Sequence, residues 1–294
     1  MVLVRLTGGL GNQMFQYAAG RALADRLDAE LVLDTRAFDH MLARQDYTRR
    51  SYALSPFRLR ARLASAADLK DWPVWIVEIG LRLRLLRPLI RPWYFQSGIG
   101  YDPGVTRLQE PVCLVGYWQS ERYFLDSAAA IRADFGLLQA LSAANQQLLD
   151  LARSANSVGL HVRRGDFVSL ADAAQVHGLC SIDYYRRAIS LIRDRRPECH
   201  FLIFSDDPEW ARAELPLDSS AVFVTGNEQQ PEQDLALMSA CRHHIIANSS
   251  FSWWAAWLGY SPEQRVIAPT PWYASAKLDA RDLALARWQY ISRV

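Results

Sequence analysis

Two adjacent arginines follow a short apolar strand near the middle of the chain. Residues 158–162 alternate as a buried strand would, and Arg163, Arg164 and Asp166 come soon after them. An unpaired guanidinium is costly to bury, whereas the carboxyl end of a parallel strand is where open α/β sheets bind ligands. The planar donor fork of arginine suits a phosphate group. The alternative is a pair of surface arginines with Asp166 as a local counter-ion, since charge pairs on loops are common.

Two further predicted strands also end in polar residues. Residues 200–204 lead into Ser205, Asp206 and Asp207, and residues 243–247 lead into a second polar run. That run contains Asn248, Ser249, Ser250 and Ser252. Parallel neighbouring strands would bring these side chains to the sheet edge that also carries His161 and the two arginines. Arginines and a serine-rich helix start suit a diphosphate, and an aspartate can accept hydrogen bonds from guanine. Together these residues predict a site for a purine nucleoside diphosphate.

A glycine-rich turn near the start of the chain is a second candidate anion site. A strand at 2–6 leads through residues 7–13 into a helix at 14–27 and a strand at 30–34, which is a βαβ opening. Backbone N–H groups at such a turn could meet an anion, although the pattern is neither G-x-G-x-x-G nor a P-loop. The alternative is a tight turn that needs glycine only for its dihedral angles.

Strands alternate with helices along most of the chain, which predicts an α/β fold with parallel sheets. Further strands are predicted at 111–116, 221–225 and 265–268, and further helices at 127–135, 142–155, 182–195, 208–213, 231–240 and 252–258. Residues 167–180 are predicted to be a loop. The end of the helix at 142–155 indicates two domains, 1–153 and 154–294. Trp253, Trp254 and Trp257 could line a sugar pocket, but their helical spacing favours a place in the core.

The segment between residues 36 and 110 gives a weaker pattern. Residues 68–91 are predicted to be helical, with an apolar face of Trp72, Trp75, Ile79, Leu83 and Leu86. Residues 40–95 contain 11 basic and 4 acidic side chains, a balance of 11 − 4 = +7. A basic amphipathic segment can lie on an anionic membrane surface. A core helix with a solvated outer face is the more common case.

Composition excludes several classes of protein. The chain has 294 residues, of which 50% are hydrophobic and 22% charged, with a formal net charge of +2. This is an ordinary globular composition without the basic excess of a nucleic-acid binder. The four cysteines have no metal-binding or disulfide spacing, so we expect free thiols in a reducing compartment. With no signal-peptide pattern and no long apolar run, we expect a cytoplasmic protein with at most peripheral contact with the inner membrane.

Several segments together resemble the α1,2-fucosyltransferases of glycosyltransferase family 11. Residues 161–166 (HVRRGD) resemble the HxRRxD motif shared by α1,2-, α1,6- and protein-O-fucosyltransferases. The other matching segments, in the expected order around it, are 8–20 (GGLGNQMFQYAAG), 116–124 (GYWQSERYF), 204–210 (FSDDPEW) and 248–257 (NSSFSWWAAW). The resemblance implies a GT-B-like architecture, in which two Rossmann-like βα domains face a donor and acceptor cleft. It further implies that domain 1–153 lies on the acceptor side and domain 154–294 binds the GDP-sugar.

The resemblance also implies roles for individual residues. The catalytic residues would be Arg163, Asp166 and Asn12, with Asn12 near the reacting sugar. Guanine would be read by His161 together with Asp206 or Asp207, and the pyrophosphate would be held by one or both arginines and the serines that follow Asn248. The complete implied donor-binding set is His161, Arg164, Ser205, Asp206, Asp207, Asn248, Ser249, Ser250 and Ser252.

The implied reaction moves L-fucose from GDP-β-L-fucose to O2 of a terminal β-galactoside on an oligosaccharide or glycolipid. The likeness to bacterial members suggests surface-glycan biosynthesis, such as that of O-antigen. The reaction would invert the anomeric carbon, and inversion proceeds by a single displacement that usually uses a base. Asp166 is the first candidate for that base and Asp172 the second, but Asp166 could instead orient an arginine and have a lowered pKa.

The sequence predicts no metal cofactor. It contains no Asp-x-Asp, so the usual local metal clamp of nucleotide-sugar enzymes is missing, and arginines would stabilise the leaving diphosphate. Two alternatives remain open: a transferase for another GDP-sugar such as GDP-mannose, and a non-catalytic module that binds carbohydrate or nucleotide. Against the module, every motif position expected to be polar is occupied by the expected residue.

Overall fold

The computed structural model describes residues 1–40, 50–83, 85, 87, 90, 92–165, 168 and 171–294, without the side chains of residues 40 and 171–173. The described residues form two compact units. Unit 1 consists of residues 1–138 and 281–283, and unit 2 of residues 139–280 and 284–294. The division falls before the predicted helix at 142–155 and not at the predicted boundary of 153/154, because that helix packs on elements of unit 2.

Unit 1 is built on a five-stranded parallel sheet. Its strands are β1 (Val2–Arg5), β2 (Leu31–Asp34), β3 (Arg62–Leu63), β4 (Trp93–Phe95) and β5 (Val112–Val115), in the order β3-β2-β1-β5-β4. Its α-helices are α1 (Leu10–Leu27), α2 (Arg36–His40), α3 (Ala66–Leu69), α4 (Val74–Arg82) and α5 (Ala128–Asp134). The strand order reverses direction between β1 and β5, so the loops that follow these two strands lie side by side.

Unit 2 is built on a six-stranded parallel sheet. Its strands are β6 (Ser157–Val162), β7 (His200–Ser205), β8 (Val222–Val224), β9 (His243–Ile245), β10 (Val266–Thr270) and β11 (Gln289–Ser292), in the order β11-β10-β9-β6-β7-β8. Its helices are α6 (Ala143–Ala152), α7 (Ala171–His177), α8 (Ile182–Arg193), α9 (Pro208–Glu214), α10 (Pro231–Ala240) and α11 (Ser250–Leu258). Alternating strands and helices thus give two parallel sheets, as the sequence predicts.

The helix α8 shows how sequence periodicity becomes the core of unit 2. Tyr184, Ala188 and Ile192 recur at helical spacing, and each is at most 1% exposed. They pack in one cluster with Val158 and Leu160 of β6. Apolar burial of this kind stabilises a fold by about 25 cal/mol per Å², and here it fixes the central strand from which the polar residues of the candidate site emerge.

The three tryptophans of α11 belong to the core. Trp253, Trp254 and Trp257 are 0–1% exposed, and their rings pack against one another. Trp253 also packs edge-on against Trp288, with ring centroids 5.7 Å apart. Their helical spacing therefore reflects packing in the core, and these tryptophans do not line a sugar pocket.

The predicted helix at 68–91 is wrong in its extent. The chain forms the short α3 and the separate α4, with Pro73 at the N-cap of α4. The residue that precedes a proline disfavours helical dihedral angles, so the helix cannot continue smoothly from α3 through Pro73. Of the predicted apolar face, Trp72 is buried, but Trp75 and Leu83 are 60% and 53% exposed. Leu86 lies outside the described residues.

Other elements also differ from the sequence prediction, and α2, β3 and β4 lie where no helix or strand is predicted. Helix α7 lies within the predicted loop at 167–180. Strand β11, with the sequence QYIS, adds an edge strand next to β10 that the sequence analysis does not predict. Within the described ranges, we find no helix both long enough and apolar enough to span a lipid bilayer.

Three histidines of unit 2 are buried in the neutral form. Nδ1 of His243 accepts the N–H of Arg265 at 3.1 Å, and Nδ1 of His244 is 3.1 Å from the amide nitrogen of Gln264. An accepting Nδ1 requires the neutral ring. Burial lowers the pKa of each of these two histidines to about 4, and burial together with the charge of Arg163 lowers the pKa of His161 to about 3.

We therefore expect the protein to lose stability in mild acid. Below about pH 6.5 the unfolded chain protonates these histidines and the folded chain does not, so each lowers the free energy of unfolding by up to about 1.4 kcal/mol per pH unit until its folded pKa is reached. Asp234 opposes the trend, because burial raises its pKa to about 6 and its protonation favours folding as the pH falls. Urea unfolding at pH 7.5 and pH 5 measures the net effect. The variant His244→Gln should have a smaller pH dependence, and equal stability at both pH values would contradict this account.

Candidate functional site

The three polar clusters predicted at strand ends meet at one edge of the unit 2 sheet. Strand β6 lies between β7 and β9, with Val162 opposite Ser205 and Leu160 opposite Ile245. From β6 the chain proceeds to β7 and β8 on one side, and then crosses to β9 on the other. The carboxyl edge beside β6 and β9 is therefore a topological switch point, where open α/β sheets bind their ligands.

The carboxylate of Asp206 joins the two arginines. Oδ2 of Asp206 forms an ion pair with Nη1 of Arg163 at 2.9 Å, and Oδ1 accepts the backbone N–H of Arg164 at 2.8 Å. A Cβ atom on Gly165 would lie 2.6 Å from Oδ2 of Asp206, so any larger residue there would require this carboxylate to shift. The side chains of Arg163 and Asp206 are each 25% exposed. Arg163 is thus anchored on one side and still open to solvent.

Arg164 is held by both a carboxylate and an aromatic ring. Its Nε donates to Oδ2 of Asp207 at 3.0 Å, and its guanidinium carbon lies 4.1 Å from the ring centroid of Trp210. Asp207 also caps α9 by accepting the N–H of Trp210, and Oγ of Ser205 accepts the N–H of Asp207 at 2.9 Å. A guanidinium stacked on an indole and paired with a carboxylate is fixed in place. Both predicted aspartates therefore organise the arginines.

His161 is buried at the end of β6, with 6% of its surface exposed. Its ring packs on that of Phe251 at 5.5 Å, and its Nδ1 has no hydrogen-bond partner among the described residues. Its lowered pKa keeps the ring neutral at physiological pH. A neutral imidazole can offer one donor and one acceptor, so His161 stays a candidate for contact with a base edge.

The polar run after β9 contains two buried residues that hold the loop and two half-buried residues at the start of the next helix. Asn248 is 2% exposed, and its Nδ2 donates to the carbonyls of His177, Gly178 and Trp272 at 3.0–3.2 Å. The hydroxyl of Ser252, also buried, bonds back to main-chain carbonyls. These two side chains hold the loop.

Ser249 and Ser250 are half-buried at the start of α11, where no side chain caps the helix. The first N–H groups of a helix lack acceptors within the helix, and its dipole favours an anion at this end. The contribution of this run to a diphosphate site would therefore come from the helix start.

Both candidate bases fall where side chains are not described. Asp166 lies outside the described residues, and Asp172 belongs to α7 but its side chain is among those left out. Their roles stay predictions. Among the described residues, no cluster of three or more histidine, cysteine, aspartate or glutamate side chains could hold a metal ion.

Asn12 lies in the first turn of α1 at the carboxyl edge of the unit 1 sheet, and it is partly exposed. Four buried glutamines that sequence reasoning missed organise this edge. Gln13 bonds the carbonyls of Gly8 and Ser51, and Gln16 bonds Thr7 and the carbonyl of Gly116. The others are Gln96 and Gln119. The available signal was the pair of glutamines three residues apart directly after the glycine turn.

Comparison with known proteins identifies relatives for the full length of the chain. The family described as glycosyl transferase family 11 matches residues 108–292. An α-1,2-colitosyltransferase of Escherichia coli is 35% identical over 300 residues, covering 100% of this chain and 99% of that protein. The O-antigen biosynthesis glycosyltransferase WbnK of Escherichia coli is 32% identical, covering 92% and 94%. Galactoside α-(1,2)-fucosyltransferase 1 of rabbit (Oryctolagus cuniculus) is 27% identical, covering 85% of this chain and 62% of that protein.

A solved structure supports the fold prediction. The fucosyltransferase NodZ from Bradyrhizobium has a TM-score of 0.52 with this chain at 15% sequence identity, covering 87% of this chain and 91% of that one. With the two parallel sheets described above, this confirms the predicted GT-B-like fold of two Rossmann-like α/β units.

We expect Asn248→Ala to destabilise unit 2 far more than Ser249→Ala. The first change removes a donor to the carbonyls of His177, Gly178 and Trp272, and a buried group left unsatisfied costs about 1–3 kcal/mol. The hydroxyl of Ser249 makes no cap bond, so its loss should change the free energy of unfolding by less than about 0.5 kcal/mol. Urea unfolding of the two variants gives the comparison. Similar stabilities would show that Asn248 does not hold the loop.

Proposed function

The chain belongs to glycosyl transferase family 11, and we propose that it transfers L-fucose from GDP-β-L-fucose to O2 of a terminal β-galactoside. The observation that carries the proposal is the pair of arginines anchored by Asp206 and Asp207 at the switch point of unit 2. The names of the relatives support the α1,2 linkage, and the rabbit protein is named for fucose and a galactoside.

In the proposed donor site, Arg163 is the main residue that stabilises the leaving diphosphate. Departure of GDP leaves negative charge on its diphosphate, and donors already aimed at developing charge accelerate such a step. Asp206 holds the guanidinium of Arg163 before the substrate arrives, so little reorganisation is needed. The open start of α11 can add backbone N–H groups, and neutral His161 can contact the guanine.

The two arginines can take the place of a metal ion in the proposed reaction. They can neutralise the leaving diphosphate themselves, so we propose that the enzyme needs no metal cofactor. Inversion would proceed by one displacement, with Asp166 as base and Asp172 as the second candidate. If Asp166 is the base, Asp166→Asn keeps its affinity for GDP-fucose and loses turnover; if it anchors an arginine, the variant loses both.

A second donor has specific support. The relative that is 35% identical over the whole chain is named a colitosyltransferase. Colitose is fucose without the hydroxyl at C3, so the two GDP-sugars present the same diphosphate and the same leaving group. A site that hydrogen-bonds the 3-hydroxyl would strongly reject colitose, whereas an apolar pocket would discriminate weakly. Donor competition therefore decides between these two activities.

The biological setting we propose is the assembly of a bacterial surface glycan, which the name of WbnK supports. The acceptor would then be a galactose-terminated oligosaccharide or glycolipid. Trp75 and Leu81 on α4 are 60% and 57% exposed, and Arg82 beside them is also exposed. An apolar and basic surface suits peripheral contact with an anionic membrane. Sedimentation with anionic phospholipid vesicles, lost in Trp75→Ala, would support this contact, and no sedimentation of the wild type would exclude it.

Arg163→Ala should reduce kcat/KM for transfer by about 100-fold or more, because a donor aimed at developing charge is lost. Arg163→Lys should recover little, since lysine cannot make a bidentate contact with phosphate. The matched control is Arg186→Ala, which removes an exposed arginine of unit 2 that pairs with Asp183 on the same helix. Substantial activity of Arg163→Ala in a folded protein would remove Arg163 from the donor site.

The proposed reaction is tested by incubating the wild-type protein in excess EDTA with GDP-fucose or GDP-colitose and a panel of β-galactosides. We expect α1,2-linked fucosyl products and no loss of rate on chelation. Loss of turnover restored by Mn²⁺ or Mg²⁺ would contradict the metal-free mechanism. Preference for GDP-colitose would reassign the donor. No transfer to any β-galactoside, and no hydrolysis of either GDP-sugar, would favour the non-catalytic module.

A further inference from the structure

The turn at residues 116–120 of unit 1 holds its backbone in an unusual conformation. Oε1 of Gln96 accepts the N–H groups of Tyr117 at 3.0 Å and of Trp118 at 2.9 Å. Trp118 has a φ of 57°, in the left-handed region that bulky residues rarely adopt, and its side chain is 0% exposed. Such strain persists only where the surroundings enforce it, and it gathers at functional sites. The residue that this turn positions is Gln119.

Gln119 ties the turn to the start of α1. It is 8% exposed, and its Nε2 donates to Oδ1 of Asn12 at 2.7 Å across 107 residues of sequence. A second side chain makes the same connection, because Nε2 of Gln16 donates to the carbonyl of Gly116 at 3.0 Å. The two loops at the switch point of the unit 1 sheet are therefore joined by hydrogen bonds from side-chain amides.

This bond sets the polarity of the Asn12 amide. Because Oδ1 faces Gln119, the Nδ2 group lies on the opposite side, next to Gly8. A Cβ atom on Gly8 would lie 2.6 Å from Nδ2 and would displace this amide, and the φ of 77° at Gly8 also favours glycine there. Gln119 is buried while Asn12 is partly exposed. The more exposed residue of the pair, Asn12, thus has its N–H donor group on the side away from Gln119.

An uncharged N–H donor suits a different ligand from the arginines of unit 2. A diphosphate is best matched by guanidinium groups, whereas a neutral amide can donate to a sugar hydroxyl oxygen without the desolvation cost of a charge. We propose that Asn12 donates through Nδ2 to an oxygen of the acceptor galactoside, and that Gln119 is a positioning residue that fixes this amide in the donating orientation. The inference rests on the proposed transferase function and assigns an acceptor contact within it.

Three variants separate the roles of the Nδ2 donor of Asn12, the Oδ1 acceptor of Asn12 and the hydrogen bond from Gln119. Asn12→Asp keeps an oxygen for Gln119 but removes the N–H donor, and Asn12→Ala removes both. We expect each to lower kcat/KM for the acceptor by about 10-fold to 100-fold. Affinity for GDP-fucose, measured by titration without acceptor, should stay within about twofold.

Gln119→Met keeps the length of the side chain and removes the hydrogen bond to Asn12. We expect a loss of about 10-fold in kcat/KM for the acceptor. The same change in the Asn12→Ala background should cause no further loss, because Gln119 acts through Asn12. The control is Gln109→Met, at an exposed glutamine of unit 1, which should behave as the wild type.

Three results would overturn the proposal. Full activity of Asn12→Asp would mean that Asn12 acts as an acceptor or not at all. Weakened GDP-fucose binding in Asn12→Asp would move its contact to the donor. An additional loss from Gln119→Met in the Asn12→Ala background would show that Gln119 acts by another route. A wild-type protein that transfers nothing would instead refute the proposed function, so the two failures are distinguishable.

Discussion

The candidate donor site depends on one carboxylate, that of Asp206. Two adjacent guanidiniums repel each other and resist burial, and Asp206 compensates by binding the side chain of Arg163 and the backbone of Arg164. The pairing of β6 with β7 places Ser205 opposite Val162, so strand register alone brings the carboxylate beside the arginines. Gly165 leaves the space that this contact needs. The sheet thus assembles a preorganised anion site before any ligand is present.

Side-chain amides form hydrogen bonds that hold the loops at the carboxyl edges of both sheets. Main-chain groups of the loops are hydrogen-bonded by Asn248 in unit 2 and by Gln13, Gln16 and Gln96 in unit 1. An amide provides both donors and an acceptor and has no charge to desolvate, so it can be buried at lower cost than an ionised side chain. The arginines and their aspartates are therefore found where a charged substrate would bind, and neutral amides support the loops around them.

The sequence predicted the architecture and the location of the site better than the roles of its side chains. The alternation of strands and helices gave the parallel sheets, and polar residues at three strand ends gave the edge where His161, Arg163 and Asp206 meet. It did not predict that Asn248 faces the main-chain carbonyls of His177, Gly178 and Trp272, because these contacts join segments far apart in the chain. The positive φ of Trp118 and the bond of Gln119 to Asn12 likewise depend on tertiary packing, which no local pattern records. Pro73 could have ended the predicted helix at 68–91, but the apolar period across it masked the break.

A double-mutant cycle for GDP binding tests most directly whether Asp206 acts by orienting Arg163. Asp206→Asn retains an oxygen for the N–H of Arg164 but loses the charge that pairs with Arg163. Titration calorimetry on the wild type, Arg163→Ala, Asp206→Asn and the double variant gives the coupling energy. We expect Asp206→Asn to weaken GDP binding by about 1–2 kcal/mol in the wild type and to have almost no effect once Arg163 is alanine. An equal loss in both backgrounds would mean that Asp206 contacts the nucleotide itself, and it would contradict the account of this site.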